Sequence, residues 1–587
     1  MKFKVSRPVI KAFLLTRQSF DTSTGVQLVF WFKSQTGPLK VIVNGQQPVF
    51  FIRQQDMGLA AELLERAAPG LEIKPLGLKN FENEAMAGVY FNSQQQFYRG
   101  RDILQQNKLR CLEADVRMSE RYLTERFLTG PVSIHVDGPA AVLLNPRITP
   151  DDYRPDLKLM SFDIETDFST DDLFSIAFVF DEHRRVLMIG ENEADPDETG
   201  DEKNSIEYLP DETSLIKRFL EWVRRADPDV FIGWNVINFD LRFLQKKCDQ
   251  LKIKLTMGRD SSNIVWRKAL GESDRYFLLI PGRVVLDGID TLKSATYSFA
   301  SFSLESVANE LLGRGKLIHD EQNKEVLKNG AGYHPLYKAR EIRRQFKEDK
   351  VSLAAYNLED CQLVWDIFEK ADLVSFATER ARLTGLEMDR VGGSVAAFDN
   401  LYLPRLHRKG YVAPNIGDYA GRLSAPGGYV MNSQPGMHGS VLVLDYKSLY
   451  PSIIRTFNVD PYARLAALQE PESNTIPGFD GARFSKTEYI LPDIIKELWQ
   501  ARDTARQDKN KALSQAIKII MNSFYGVLGT PGCRIHDSRL TSSITKRSHE
   551  LIQTTVNLIE DEGYQVIYGD TDSVFVSLNQ SVDNASA

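Results

Sequence analysis

The chain has 587 residues, too many for one hydrophobic core, so several domains are expected. Its composition, 42% apolar and 26% charged, is that of a globular protein, and no apolar run of about 18 residues exists to cross a membrane. A net charge of −7 excludes a uniformly basic nucleic-acid coat but not basic groups clustered on one face. The start, MKFKVSRPVIKAFLLTR, interrupts its apolar stretch with Arg7, Pro8 and Lys11 and so lacks the continuous core of a signal peptide. Cys111, Cys248, Cys361 and Cys533 stand far apart without C-x-x-C spacing, which argues against a zinc ribbon or disulfide frame and for a reducing cytoplasm.

Residues 1–150 alternate short β patterns with one helix. Val26 to Phe32 is strand-like, Asn44-Gly45 predicts a hairpin turn between KVIV and PVFFI, and Gly58 to Ala68 predicts a helix. From 151 to 367 strands alternate with helices. Leu159 to Glu165, Val230 to Gly233 and Val284 to Leu286 read as buried strands, and DLRFLQKKCDQL as a helix, which suits a central sheet covered by helices. The acid-rich stretch Glu191 to Glu212 reads as a solvated loop without a role. A mixed region covers 368–484. Helical stretches at 488–509 and 512–525 form an αα-hairpin, and 530–587 returns to strand.

Two groups of carboxylates stand out. Asp163 and Glu165, two apart on a strand, leave the same face. Asp240 opens a helix after Asn235-Val236-Ile237-Asn238-Phe239, and Tyr356 and Asp360 are i and i+4 on another helix. Any one of these pieces is commonplace and by itself is best read as a surface carboxylate. In the second group, Asp445 ends the apolar run Val441 to Leu444, which predicts a buried strand. Tyr568-Gly569-Asp570-Thr571-Asp572-Ser573 lies between Val566-Ile567 and Val574-Phe575-Val576, a hairpin whose turn carries two acids. Acids gathered at the ends of apolar strands need a cation between them.

Taken in order, Asp445-Tyr446-Lys447-Ser448-Leu449-Tyr450-Pro451-Ser452, Lys518-Ile519-Ile520-Met521-Asn522-Ser523-Phe524-Tyr525-Gly526 and the YGDTDS hairpin resemble the A, B and C motifs of family B DNA polymerases. The wording around them is similar to the bacterial DNA polymerase II branch of that family. DIE, NxxxFD and YxxxD, in that order, resemble the three motifs of a DEDDy-type 3′–5′ exonuclease. The resemblance implies a multidomain α/β chain. It would comprise an N-terminal domain (1–150), an RNase H-like exonuclease domain (151–367), a palm in two parts (368–484 and 530–587) and helical fingers (485–529). It also implies DNA-directed DNA synthesis with proofreading, two Mg2+ ions per active site with Mn2+ as a substitute, and a bacterial cytoplasmic, nucleoid-associated location.

The residue roles follow from the same resemblance. Asp163, Glu165, Asp240 and Asp360 would hold the exonuclease ions while Tyr356 orients the attacking water. Asn235 and Phe239 would position a frayed primer end, although core packing explains Phe239 equally well. Asp445 and Asp572 would share the polymerase ions, with the Tyr446 carbonyl as a further ligand and Asp570 in a less direct role. Tyr450 would be the steric gate against ribose. Lys518, Asn522 and Tyr525, at i, i+4 and i+7, would present a cation, an amide and an aromatic surface to the nucleotide. Arg502 and Arg506 share a face and would grip the triphosphate, although the family often has lysine at the second position. Gly427-Gly428-Tyr429 resembles a template-contacting element. Primer–template, single-stranded 3′ ends and dNTPs would be the partners. The family continues after the hairpin into a thumb and a clamp-binding peptide, whereas this sequence reads NQSVDNASA and stops. A chain without a thumb is therefore expected, as a fragment, a truncated gene product or half of a split enzyme. It could act mainly as the nuclease, or be a non-catalytic DNA-binding remnant, against which the seven intact acids weigh.

Overall fold

The computed structural model describes residues 8–136, 138, 142–167, 169–191, 204–269, 274–317, 337–418 and 427–578. Most of the acid-rich stretch, 192–203, and the terminal 579–587 lie outside the described residues. Of the remainder of that stretch, Asn204–Leu209 is a strand and Glu212 opens a helix. The chain forms two compact units that do not follow chain order. One gathers residues 1–19, 28–44 and 128–392, the other 20–27, 45–127 and 393–587. The first 150 residues are thus shared between the two units.

In the first unit a six-stranded sheet carries the chemistry. Its strands are β1 (Leu159–Asp167), β2 (Asp172–Phe180), β3 (His183–Ile189), β4 (Asn204–Leu209), β5 (Val230–Gly233) and β6 (Val284–Asp287). They lie in the order β4-β3-β2-β1-β5-β6, with β1 antiparallel to β2 and parallel to β5. Helices cover both faces. Met160, Phe162 and Ile164 of β1 enter a core with Phe219 and Trp222 of helix α1 (Glu212–Ala226). On the opposite face, Phe174, Ala177 and Val186 pack with Tyr356 and Cys361 of helix α2 (Lys350–Lys370). The two-residue period of a strand therefore sends Asp163 and Glu165, which follow Phe162 and Ile164, toward α2.

A separate six-stranded sheet is built from the N-terminal strands and Pro131–His135, Val142–Leu144 and Arg147–Pro150. The hairpin expected at Asn44-Gly45 is not there. Gly37–Gln46 belongs to this sheet, while Val49–Arg53 joins a three-stranded sheet with Glu72–Lys79 and Ala85–Tyr90. Gly45, at φ 68, supplies a left-handed bend that passes the chain from one sheet to the other instead of turning it back.

In the second unit a three-stranded sheet, β7 (Val441–Asp445), β9 (Ser573–Ser577) and β8 (Gln565–Asp570) in that order, carries the other acids. Helices α3 (Leu491–Gln507) and α4 (Lys511–Gly529) form the helical pair. Two expectations fail in this unit. Residues 530–587 do not simply return to strand, because Ser538–Asp561 is a 24-residue helix, α5. Its buried Leu540, Ile544, Ile552 and Val556 keep helical spacing, which the many Ser and Thr residues obscure. Nor is β7 a buried strand. Val441 to Leu444 are 40–51% exposed, and β7 is the outer strand of its sheet.

Candidate active sites

Three acids of the first unit converge. One carboxylate oxygen from each of Asp163, Glu165 and Asp360 lies within 4.8 Å of the other two, with Asp163 part-exposed and the other pair buried. Asp240 sits on a π-helical turn, Ile237–Leu241, a geometry that often marks functional sites. It is 1% exposed, and its Oδ1 accepts from the Ile164 amide at 3.1 Å, which fixes it against β1. Asp163 accepts at 2.8 Å from the side-chain amide of Asn357, and the Ser161 hydroxyl donates to the Cys361 carbonyl at 2.9 Å. The motif-bearing face of α2 is thereby tied to β1 at two points.

Crowding leaves a charge signature. Loss of hydration, and then the neighbouring Asp360, lifts the Asp163 carboxyl to about 7. Burial, followed by Asp163, raises both Glu165 and Asp240 well above the usual carboxylate range. Such a set is unfavourable without positive charge among the acids. Two ammonium groups that the motifs do not include provide some of it. Lys316 bonds Asp360 and reaches the Tyr356 hydroxyl at 3.3 Å. Lys338 lies 5.3 Å from the centre of the Tyr356 ring and interacts with Asp360 and Glu165. Lys316 follows Gly313-Arg314-Gly315 and Lys338 lies in the first turn of the helix Tyr337–Glu348, and neither context is distinctive in one sequence. Asp360 Oδ1 is buried with no hydrogen-bond partner, as a ligand oxygen awaiting a cation would be. Phe239 is 42% exposed, which disposes of core packing for that ring.

The second unit places its acids at the ends of three adjacent strands. Asp445 of β7 and Asp570 of β8 are both in register with Ser573 of β9, which lies between them. The turn is tight: the Asp572 amide donates to the Asp570 carbonyl at 2.6 Å, and Thr571 takes φ 55. The Tyr446 amide donates to the Asp572 carbonyl at 2.8 Å, joining the A and C segments. Burial, then Asp445 and Asp570, raises the Asp572 carboxyl above its ordinary value. These three acids are not drawn into a cluster as tight as that of Asp163, Glu165 and Asp360.

Around them, the Tyr450 and Tyr525 rings meet at 4.6 Å with a 54° tilt. Lys518 and Asn522 are exposed on the same helix, α4. Arg506 is exposed, but Arg502 is 8% exposed with an unpartnered Nε, so the two arginines of α3 differ in access. Gly427-Gly428-Tyr429 lies against the hairpin that carries Asp570 and Asp572. The Tyr429 carbonyl accepts from the Thr571 amide at 2.7 Å, and a Cβ on Gly428 would come within 2.7 Å of the Thr571 hydroxyl. That close approach is why glycine stands there.

Three family models match the chain: DNA polymerase family B over residues 392–586, its exonuclease domain over 111–307, and DNA polymerase II, N-terminal, over 12–47. DNA polymerase II of Escherichia coli (strain K12) is 45% identical over 568 residues, which is 96% of this chain and 70% of the relative. A DNA polymerase of Thermococcus gorgonarius is 27% identical over 468 residues, covering 74% of this chain and 55% of its own length. The family B DNA polymerase structure from Pyrobaculum calidifontis superposes with a TM-score of 0.75 at 20% identity, covering 98% of this chain and 75% of that one. With the paired carboxylate sites and a close relative sharing nearly half its residues, the chain belongs to the family B DNA polymerases, as a DNA-directed DNA polymerase of the polymerase II type with a proofreading exonuclease domain.

Proposed function

We propose that each carboxylate set is a two-metal site for its own half of the reaction, with Mg2+ as the resident ion and Mn2+ as a substitute. The observation that carries this reading is the convergence of Asp163, Glu165 and Asp360 oxygens within 4.8 Å, with Asp360 Oδ1 lacking a partner. All-oxygen donors at such spacing suit hard divalent cations. Held by these residues, such ions would supply Lewis acidity for the attacking and the departing oxygen.

In the exonuclease domain (151–367), Asp163, Glu165, Asp240 and Asp360 are the ligands and the Tyr356 hydroxyl orients the attacking water. Asn235 and the exposed Phe239 hold the frayed 3′ end, Phe239 by stacking on a base. In the palm (368–484 and 530–587), Asp445, Asp572 and the Tyr446 carbonyl are ligands and Asp570 assists. The primer 3′-hydroxyl attacks the α-phosphorus of the dNTP in line, and pyrophosphate leaves without a covalent enzyme intermediate. From the fingers (485–529), Lys518, Arg506 and Arg502 offset triphosphate charge, while Asn522 and Tyr525 face the nascent pair. Tyr450 excludes the 2′-hydroxyl, and Gly427-Gly428-Tyr429 contacts template. The protein works on DNA in the bacterial cytoplasm, at the nucleoid.

The test is the double substitution Asp163→Ala with Glu165→Ala. It removes Mg2+-dependent digestion of single-stranded 3′ ends while dNTP binding at the palm persists. Digestion surviving in a contaminant-free preparation overturns the exonuclease assignment.

A further inference from the structure

Beyond the residues assigned above, the first unit carries an exposed aromatic group that its core does not use. Tyr297 and Phe299 lie parallel, with ring centroids 6.0 Å apart and planes within 2°. Phe302 meets Phe299 edge-on at 5.3 Å. Tyr297 is 37% exposed, and Phe299 and Phe302 are only part-buried. The Lys293 ammonium stands 4.8 Å from the centre of the Phe302 ring and makes no ion pair with a carboxylate among the described residues.

This group is joined to the nuclease site. The Trp234 indole N–H donates to the Phe302 carbonyl at 3.0 Å, and Trp234 precedes Asn235 on the segment that presents Phe239 and Asp240. The Trp234 ring in turn rests on Gly288, where a Cβ would approach it to 2.6 Å. The loop of 297–302 is therefore anchored, through one indole, to the turn that holds a catalytic acid. Part-exposed rings with a cation at their edge are the elements from which single-strand binding tracks are made: bases stack on the rings and a phosphate meets the ammonium.

We propose that Tyr297, Phe299, Phe302 and Lys293 form a distal subsite for single-stranded DNA, holding nucleotides on the 5′ side of the one being removed. This rests on the exonuclease reading and adds substrate-length dependence to it. A strand too short to reach the loop gains nothing from it. A longer one gains stacking and one phosphate contact.

Exonuclease kinetics on oligothymidylates of about four and about sixteen nucleotides test this directly. In the double variant Tyr297→Ala, Phe299→Ala, KM for the long strand rises about tenfold, while kcat and the short-strand kinetics stay as in the parent. Tyr297→Phe with Phe299→Tyr restores the long-strand KM, because either ring stacks. Lys293→Gln makes the salt dependence of long-strand binding shallower by about one phosphate contact. Equal changes on both lengths, a fall in kcat, or no change on the long strand overturns the proposal. Affinity for the long strand, measured by fluorescence anisotropy without divalent ions, is independent of hydrolysis. It falls about tenfold in the double variant if the subsite exists, even should the parent digest neither strand, which would overturn only the exonuclease reading.

Discussion

The side-chain amide of Asn357 donates to the Asp163 carboxylate at 2.8 Å, linking positions 194 apart in sequence. Asn357 is fully buried, and its own oxygen faces the Ser175 hydroxyl at 3.3 Å, so its nitrogen is the end turned to Asp163. It fixes which way the carboxylate of Asp163, a ligand in the proposed metal site, points without being a ligand itself. Such outer partners commonly contribute 10–100-fold to a metal site. Asn357→Ala is expected to lower exonuclease turnover by roughly that factor and to leave primer extension unchanged. Parallel assays on single-stranded DNA and on primer–template with the four dNTPs measure both, and unaltered digestion refutes the positioning role.

That Asp163 and Glu165 share one face, and Tyr356 and Asp360 another, was legible from spacing, but their grouping into one set came only from the resemblance to the exonuclease motifs. A two-residue interval on a strand and a four-residue interval on a helix each put side chains on one face, wherever the elements later pack. Lys316, Lys338 and Asn357 were not legible. Their contacts arise only when α2 and its flanking segments close over β1, and no periodicity marks them. The exposure of β7 was misread for a related reason. An apolar pentapeptide ending in Asp445 has the same sequence whether neighbours cover it or not, and covering is a tertiary property. The missed helix α5 is a matter of composition, since Ser and Thr weaken helical propensity although the buried stripe persists. Asn44-Gly45 offered good hairpin chemistry, yet the strands on either side joined different sheets.

Crowded acids also predict a response to ions. Burial lifts Asp163, Glu165 and Asp240, helped by Asp360 at Asp163 and by Asp163 at the other two, so a cation that binds only the folded site should stabilise it. Thermal melting in EDTA and then in Mg2+ is expected to show a rise of a few degrees for the parent protein. Asp163→Ala with Glu165→Ala should melt no lower than the parent in EDTA, because it removes buried like charges, and should respond less to Mg2+. A parent protein indifferent to Mg2+ at millimolar concentration contradicts this.

His407 offers a stability test away from both sites. Its Nε2 lies 2.8 Å from Glu113 and its Nδ1 2.5 Å from Glu125, with Arg121 also bonded to Glu113. Burial alone would lower the imidazole, but Glu113 and Glu125 outweigh it and raise the group to about 9. The folded pKa therefore exceeds the unfolded value of about 6.5. The stability that the cluster contributes is complete below that value and is lost as pH rises through about 9. Melting temperature between these limits should fall more steeply for the parent than for His407→Gln, and parallel slopes would show that the ring is not protonated in the fold.

The final prediction concerns sugar selection. Tyr450 and Tyr525 stand ring to ring at 4.6 Å, on the first turn of Leu449–Thr456 and on α4, and both rings are only part-buried. A core tyrosine would be closed over on all sides, whereas both of these rings keep part of their surface open. Burial, then Tyr525, Asp572 and Asp570, pushes the Tyr450 hydroxyl up to about 12. Exclusion of a 2′-hydroxyl by such a ring is steric, so the contribution comes from its volume and not from its hydroxyl. Tyr450→Phe should therefore keep discrimination against ribonucleotides, while Tyr450→Ala should relax it by about tenfold or more, a change worth about 1.4 kcal/mol in relative transition-state binding. Single-nucleotide insertion of dCTP and CTP opposite a template guanine, compared as a ratio of kcat/KM, gives the answer. If alanine lowers both insertions equally and leaves the ratio fixed, the ring supports the palm without reading the sugar. Loss of discrimination in the phenylalanine variant instead transfers the role from ring volume to the hydroxyl, and the steric account fails.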